Sequence, residues 1–315
     1  MTHLRDSIRW SHHPVPAPSA EGTLNISVGS VGSSGPVALI TAGVHGDEGP
    51  WGGLAIHRLL DRVTVDELAG TIRIVPVSNP LAMRADTRNA PVDQLDLNRN
   101  FPGSPDGSYT EVVAHTLVEH ALKGADVAID LHGGGSWCVN AFVFRMQGGE
   151  ALADAVPAPF VVDAPDRAVT LTGYARSQGV RCVAIEMGGR SVQESAWADR
   201  IADGLYRVLT VTGVIAPRTP PAPIASPAIS VKATTVLRPR AGGVFIPEVG
   251  VETVGTIVAK GTLLGRMVDP STFATREEFR APYDRTAVML LRPMLAQIEG
   301  GAMTYVVSEP RESTE

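Results

Sequence analysis

His45 and Glu48 stand three positions apart in Gly43-Val44-His45-Gly46-Asp47-Glu48-Gly49, just after the apolar run Val37-Ala38-Leu39-Ile40. At the mouth of a buried strand, both side chains can turn toward one cation. A second apolar run ends in the same way, Val127-Ala128-Ile129-Asp130-Leu131-His132-Gly133-Gly134. Two histidines and one glutamate on strand-end loops form the usual three-ligand set of a catalytic zinc, with the fourth position left for water. A third run, Val180 to Ile185, leads into Glu186-Met187-Gly188-Gly189. A free carboxylate there can take a proton from water acidified by the metal and later hand it to a leaving amine. Asp130, two before His132, projects from the same side of its strand and is placed to orient that ligand. Each feature alone has a plainer reading, with His45 and Glu48 as a polar surface pair and Glu186 as the cap of a strand end. Their coincidence at three strand ends favours the metal.

The segment from Asn79 to Tyr109 is long, polar and rich in Gly and Pro. Loops of that length inside a compact domain are mostly functional. It carries Thr87-Arg88-Asn89 and Asp96-Leu97-Asn98-Arg99-Asn100-Phe101-Pro102-Gly103. A guanidinium presents a planar fork suited to a carboxylate or an anionic oxygen, and Asn98 beside Arg99 supplies further donors. The alternative is a solvated loop whose arginines pair with Asp86, Asp93 and Asp96.

Positioning such groups requires a frame. Strands are expected at 23–28, 37–41, 71–77, 127–131 and 180–187, and helices at 49–62, 110–122, 169–178 and 192–209. Alternation of this kind predicts an α/β fold with a mixed, mostly parallel sheet flanked by helices, whose ligands bind at the C-terminal strand ends. Residues 217–229 form a stiff Pro-rich linker between a catalytic domain, residues 1–216, and a smaller C-terminal all-β domain, residues 230–315.

The chain of 315 residues has 44% hydrophobic residues and a net charge of −6. Mild acidity without a Lys/Arg cluster argues against a nucleic-acid partner. No apolar stretch is long enough to span a membrane, and the first ten residues lack the apolar core of a signal peptide. Cys138 and Cys182 are too few for a disulfide scaffold and read as buried small hydrophobes, so a cytoplasmic protein is expected. His12 and His13 read as solvated, His57 as structural, and His115 and His120 lie five apart on a helix, off a common face. Arg190 is either a contact for the acyl end of a substrate or half of a surface ion pair. The oligomeric state is left open, a homo-oligomer included.

The motifs Gly-x-His45-Gly-Asp-Glu48, Asp96-Leu-Asn98-Arg99-Asn-Phe-Pro, Asp130-Leu-His132 and Glu186-Met-Gly together resemble those of the succinylglutamate desuccinylase/aspartoacylase family. That family is a branch of the zinc carboxypeptidase (M14-like) superfamily. The resemblance implies a zinc carboxypeptidase-like catalytic domain, with a β domain partly covering the site. It implies one zinc ion per chain held by His45, Glu48 and His132, and Glu186 as general base and acid. It also implies that Arg88 stabilises the oxyanion and that Asn98 and Arg99 grip the substrate's α-carboxylate. The implied reaction is removal of the acyl group from a small N-acyl amino acid. A metallo-carboxypeptidase acting on small peptides uses the same residues. A non-enzymatic alternative is a biotinyl/lipoyl-like carrier with Lys260 as its attachment point.

Overall fold

The computed structural model describes residues 2–17 and 22–312. A thirteen-stranded mixed sheet runs through it. Its N-terminal strands are β1 (Arg9–Val15), β2 (Leu24–Val31), β3 (Val37–Thr41), β4 (Thr71–Val75), β5 (Val127–His132), β6 (Val139–Arg145), β7 (Phe160–Asp163) and β8 (Arg181–Gly188). At its centre β4, β3, β5 and β8 lie parallel, while β1, β2 and β6 pair antiparallel. All six residues of β5 are buried, as expected of a parallel strand covered on both faces.

Among the described residues six α-helices flank this sheet: α1 (Gly49–Arg62), α2 (Pro80–Ala85), α3 (Tyr109–Leu117), α4 (Glu150–Asp154), α5 (Leu171–Ser177) and α6 (Glu194–Val211). Period-two alternation sorts the strand residues between two layers. Ala38, Ile40, Ile129 and Ile185 share a core with Ile56 and Leu59 of α1 and Ile201 and Leu205 of α6. Leu39, Ala128, Cys182 and Ala184 share another with Val113 and Leu117 of α3 and Leu171 and Ala175 of α5. Helix 110–122 departs from expectation: α3 ends at Leu117 and continues as a wider π turn, Val118–Leu122. His12 is exposed, as expected, and His13 is half-buried. They lie in β1, where His13 stacks on His120 with ring centroids 3.9 Å apart. His57 is exposed and sits 3.2 Å from Asp61, one helical turn away.

Residues 216–228 carry neither helix nor strand. Beyond them lie β9 (Ile229–Ser230), β10 (Thr235–Leu237), β11 (Gly243–Pro247), β12 (Ile257–Ala259) and β13 (Leu263–Val268). They are followed by β14 (Thr275–Arg280), β15 (Arg285–Leu291), β16 (Ala296–Ile298) and β17 (Tyr305–Ser308). Four of these form a separate antiparallel sheet, in the order β14-β13-β11-β16. Its core includes Phe245 and Phe279, packed around Tyr305. The others extend the large sheet: β9 pairs β7, and β15 takes the start of the β6 edge that β7 leaves open, where Leu290 and Leu291 face Asn140 and Val139. Lys260 sits in the turn between β12 and β13, which belong to different sheets, and pairs with Asp284 at 3.4 Å. Among the described residues no helix is long and apolar enough to cross a membrane.

Cys138 and Cys182 are free and buried. Burial pushes the Cys182 thiol up to about 12 and raises that of Cys138 well above its ordinary value. A thiolate is the reactive form. Neither cysteine is therefore expected to react with a disulfide thiol reagent at mildly alkaline pH until the protein is unfolded, when both do. A fast-reacting thiol in the folded protein would contradict this packing.

Candidate active site

Three strand ends meet at one cavity of about 350 Å³, lined by His45, Glu48, Arg88, Asn98, Arg99, His132 and Glu186 among others. The side chains expected from sequence are thus brought together. The turn after β3 carries His45 and Glu48. Gly46 lets that turn lie against α2: a Cβ there would fall 1.9 Å from the Ala82 carbonyl carbon, so no other residue fits without moving the helix. Pro50 opens α1 directly behind Glu48. The parallel pairing of β5 with β8 sets His132 opposite Glu186. The Gly133-Gly134 turn beyond β5 is equally close, since a Cβ on Gly134 would lie 2.0 Å from the Cys138 carbonyl oxygen.

The carboxylate of Glu48 bridges the two imidazoles. Oε1 lies 2.9 Å from His45 Nδ1, and Oε2 lies 2.9 Å from His132 Nδ1. One ligand atom from each of the three residues lies within 4.8 Å of the others, and all three residues are buried. His45 Nδ1 makes no directed hydrogen bond although it is buried. A buried imidazole nitrogen that meets a carboxylate oxygen without hydrogen-bond geometry, converging with a second imidazole, belongs to the donor set expected of a divalent transition metal.

The outer nitrogens of both rings are held by acids. His132 Nε2 is 2.8 Å from Asp130 Oδ2, and Thr41 donates to Asp130 Oδ1 at 2.6 Å. His45 Nε2 is 3.0 Å from Asp96 Oδ1. Such carboxylate partners fix tautomer and ring orientation. Burial opposes charge on His45, but Glu48 and Asp96 outweigh it and raise its pKa. Burial likewise opposes charge on His132, where Asp130 and Glu48 prevail and lift it well above the ordinary value. Burial would raise the Glu48 carboxyl, but the two histidines hold it below the usual carboxylate range.

Arg88 reaches into the same group, donating to Glu48 at 3.2 Å and to Asp96 at 2.9 Å. Of the three acids that a solvated loop would pair with its arginines, only Asp96 does so. Asp93 caps α3 through Thr110, and Asp86 takes a two-pronged contact from Arg190 at 2.7 and 2.6 Å. Arg190 is thus an ion-pair partner in this structure. Asn98 accepts from the Leu171 amide at 2.9 Å and places its side-chain nitrogen 3.2 Å from His132 Nε2. Arg99 donates to the Asn98 carbonyl at 2.6 Å and also lines the cavity.

Glu186 stands apart from the metal-type trio. Burial raises its pKa, with His132 opposing and Glu48 adding to the shift. Its Oε2 accepts from Asn140 Nδ2 at 2.8 Å. Asn140 on β6 and the link from Asp96 to His45 are the parts of the site that the sequence motifs do not single out. The signal for Asn140 is a lone polar residue entering the β-type run Val139 to Phe144.

A family model for the succinylglutamate desuccinylase/aspartoacylase catalytic domain matches residues 34–212. The N-alpha-acetyl-L-2,4-diaminobutyric acid deacetylase of Halomonas elongata is 42% identical over 118 residues, covering 37% of this chain and 34% of that protein. The match therefore spans about a third of that relative's length. The product-bound ectoine utilization protein EutE (DoeB) of Ruegeria pomeroyi superposes with a TM-score of 0.79 at 28% identity, covering 98% of this chain and 97% of that one. A succinylglutamate desuccinylase/aspartoacylase from Rhodobacter sphaeroides gives 0.80 at 27% identity over 97% and 96%. With more than half of its length matched by the family model and its motifs gathered at one cavity, the chain belongs to the succinylglutamate desuccinylase/aspartoacylase family.

Proposed function

We propose that this protein is a zinc-dependent amidohydrolase that removes the acyl group from a small N-acyl amino acid. The observation that carries this reading is a half-buried carboxylate, Glu186, sharing one cavity with the buried donor set of His45, Glu48 and His132. Those three residues would hold one zinc ion per chain. Zinc so held supplies Lewis acidity, which brings the pKa of water to about 7 and polarises a carbonyl.

The remaining steps belong to the chain's own groups. Glu186, held by Asn140, accepts the proton of the attacking water and delivers it to the amide nitrogen as the C–N bond breaks. Arg88 faces the negative oxygen that develops on the acyl carbon, and one such preorganised donor is typically worth about 3–4 kcal/mol. Asp96 keeps Arg88 and His45 in register by bonding to both. Asn98 and Arg99 bind the α-carboxylate and orient the amide, an effect that matters as much as charge. The similarity to a deacetylase of an N-acetylated diamino acid supports the substrate class.

The experiment is a hydrolysis screen of N-acyl amino acids, each with a free and a blocked α-carboxylate, run beside dipeptides. Turnover of the free N-acyl amino acids, lost on blocking, is expected. Turnover of dipeptides alone would make the protein a small-peptide carboxypeptidase, and activity indifferent to blocking would remove Asn98 and Arg99 from carboxylate binding.

A further inference from the structure

The cavity extends to two sides of Glu186, and strand register identifies the residues on each. On the side of Asn98 its floor follows β6 and β8 to the cross-strand partners Phe144 and Ala184, near the 167–172 segment. On the other side it follows one row across the sheet. Asn140 faces Leu290, Leu290 faces Val306, and Val306 faces Val236. Strands lie about 4.8 Å apart, so this row reaches roughly 14 Å from Asn140. Trp137, Cys138 and Met303 line the cavity with it, and Thr234 adds a hydroxyl.

This wall carries no charge of its own. Two charged side chains adjoin the Trp137 loop, and each keeps one buried polar atom without a hydrogen-bond partner, Asp47 Oδ1 and Arg292 Nε. Asp47 accepts from the Ser136 amide and hydroxyl at 3.0 and 3.2 Å. Arg292 lies on the Trp137 ring, 4.4 Å from its centroid, and does not line the cavity. The size of the cavity also bears on the ligand. An apolar cavity of about 150 Å³ already holds benzene. A volume of 350 Å³ therefore has room for an amino acid and an acyl group well beyond two carbons.

We infer that the acyl group accepted by this protein is an uncharged aliphatic or aromatic chain longer than acetyl, seated on the Leu290–Val306–Val236 row. The inference rests on the function proposed above, with the carboxylate at Asn98 and Arg99 directing the acyl carbon to the opposite side of Glu186. The reaction stays a balanced hydrolysis. The amide C–N bond breaks, the acyl carbon gains the hydroxyl of water, and the nitrogen gains its proton. The products are a short-chain carboxylic acid and a free amino acid.

The test compares N-acetyl, N-butanoyl and N-succinyl forms of one amino acid with the intact protein. Butanoyl and succinyl share a four-carbon chain and differ by a terminal carboxylate. Each buried methylene is worth about fourfold, so butanoyl should exceed acetyl in kcat/KM by about tenfold or more. Succinyl should fall about tenfold or more below butanoyl, because its carboxylate meets no cation among the residues that line this wall. Met303→Trp, at a half-buried position, should cut the butanoyl-to-acetyl ratio about tenfold, and Val236→Phe should act in the same direction. Acetyl or succinyl as the best substrate, or a ratio untouched by both variants, would overturn the inference and leave the hydrolase reading standing. Hydrolysis of none of the three would overturn both.

Discussion

Glu186→Gln is expected to lower kcat by about 10²–10⁴-fold while leaving the cation content unchanged, because in the proposed mechanism the lost group moves a proton and is not a ligand. The replacement has the same shape. Its carbonyl oxygen can still accept from Asn140, so the orientation seen in the wild-type contact at 2.8 Å is kept. What disappears is the ability to receive a proton. Burial pushes the Glu186 pKa up, and the neutral amide therefore sits in that environment at no greater solvation cost than the charged carboxylate. Folding should survive, and a melting temperature at or above that of the wild type would show it. Near-wild-type turnover by a folded, metal-loaded variant would remove Glu186 from the mechanism.

His132→Ala is expected to lower the metal content well below one ion per chain, measured on folded protein by elemental analysis. The side chain is one of three converging donors, and its loss breaks more than coordination. Asp130, fully buried, keeps its Thr41 contact and loses its imidazole partner, and Glu48 loses one of its two. Removing one member of a buried ionic group typically costs about 3–5 kcal/mol, so a drop in melting temperature should accompany the loss of metal. His132→Gln keeps a polar group in the space and separates the two effects. Full occupancy in both variants would mean that His132 is not a ligand.

The elements that carry these residues were legible for a physical reason. Parallel strands buried on both faces appear as continuous apolar runs, and ligands gather at their C-terminal ends, so Val37 to Thr41 and Val127 to Leu131 pointed to His45, Glu48 and His132. What an apolar pattern does not carry is the identity of a strand's partner. The C-terminal strands were legible as strands. That β15 would join β6 and lengthen the large sheet depended on an open edge, which no local signal records. Asn140 arrives at Glu186 through that same antiparallel β6, 46 positions away in sequence. Asp96 reaches His45 across 51 positions between two irregular segments. Pairings of that span are fixed by the packed fold and leave no periodicity in the chain. His13 and His120 make the same point from the surface: neither position suggests a stacked pair until β1 is laid beside the turn after α3.

One divalent cation gripped by His45, Glu48 and His132 is the centre of this account. The most direct test is a crystal of the zinc-loaded protein, with anomalous scattering recorded on either side of the zinc absorption edge. A single strong peak within about 2.0–2.2 Å of a nitrogen of each histidine and an oxygen of Glu48 is expected. A peak elsewhere, or no peak in an active enzyme, would contradict it.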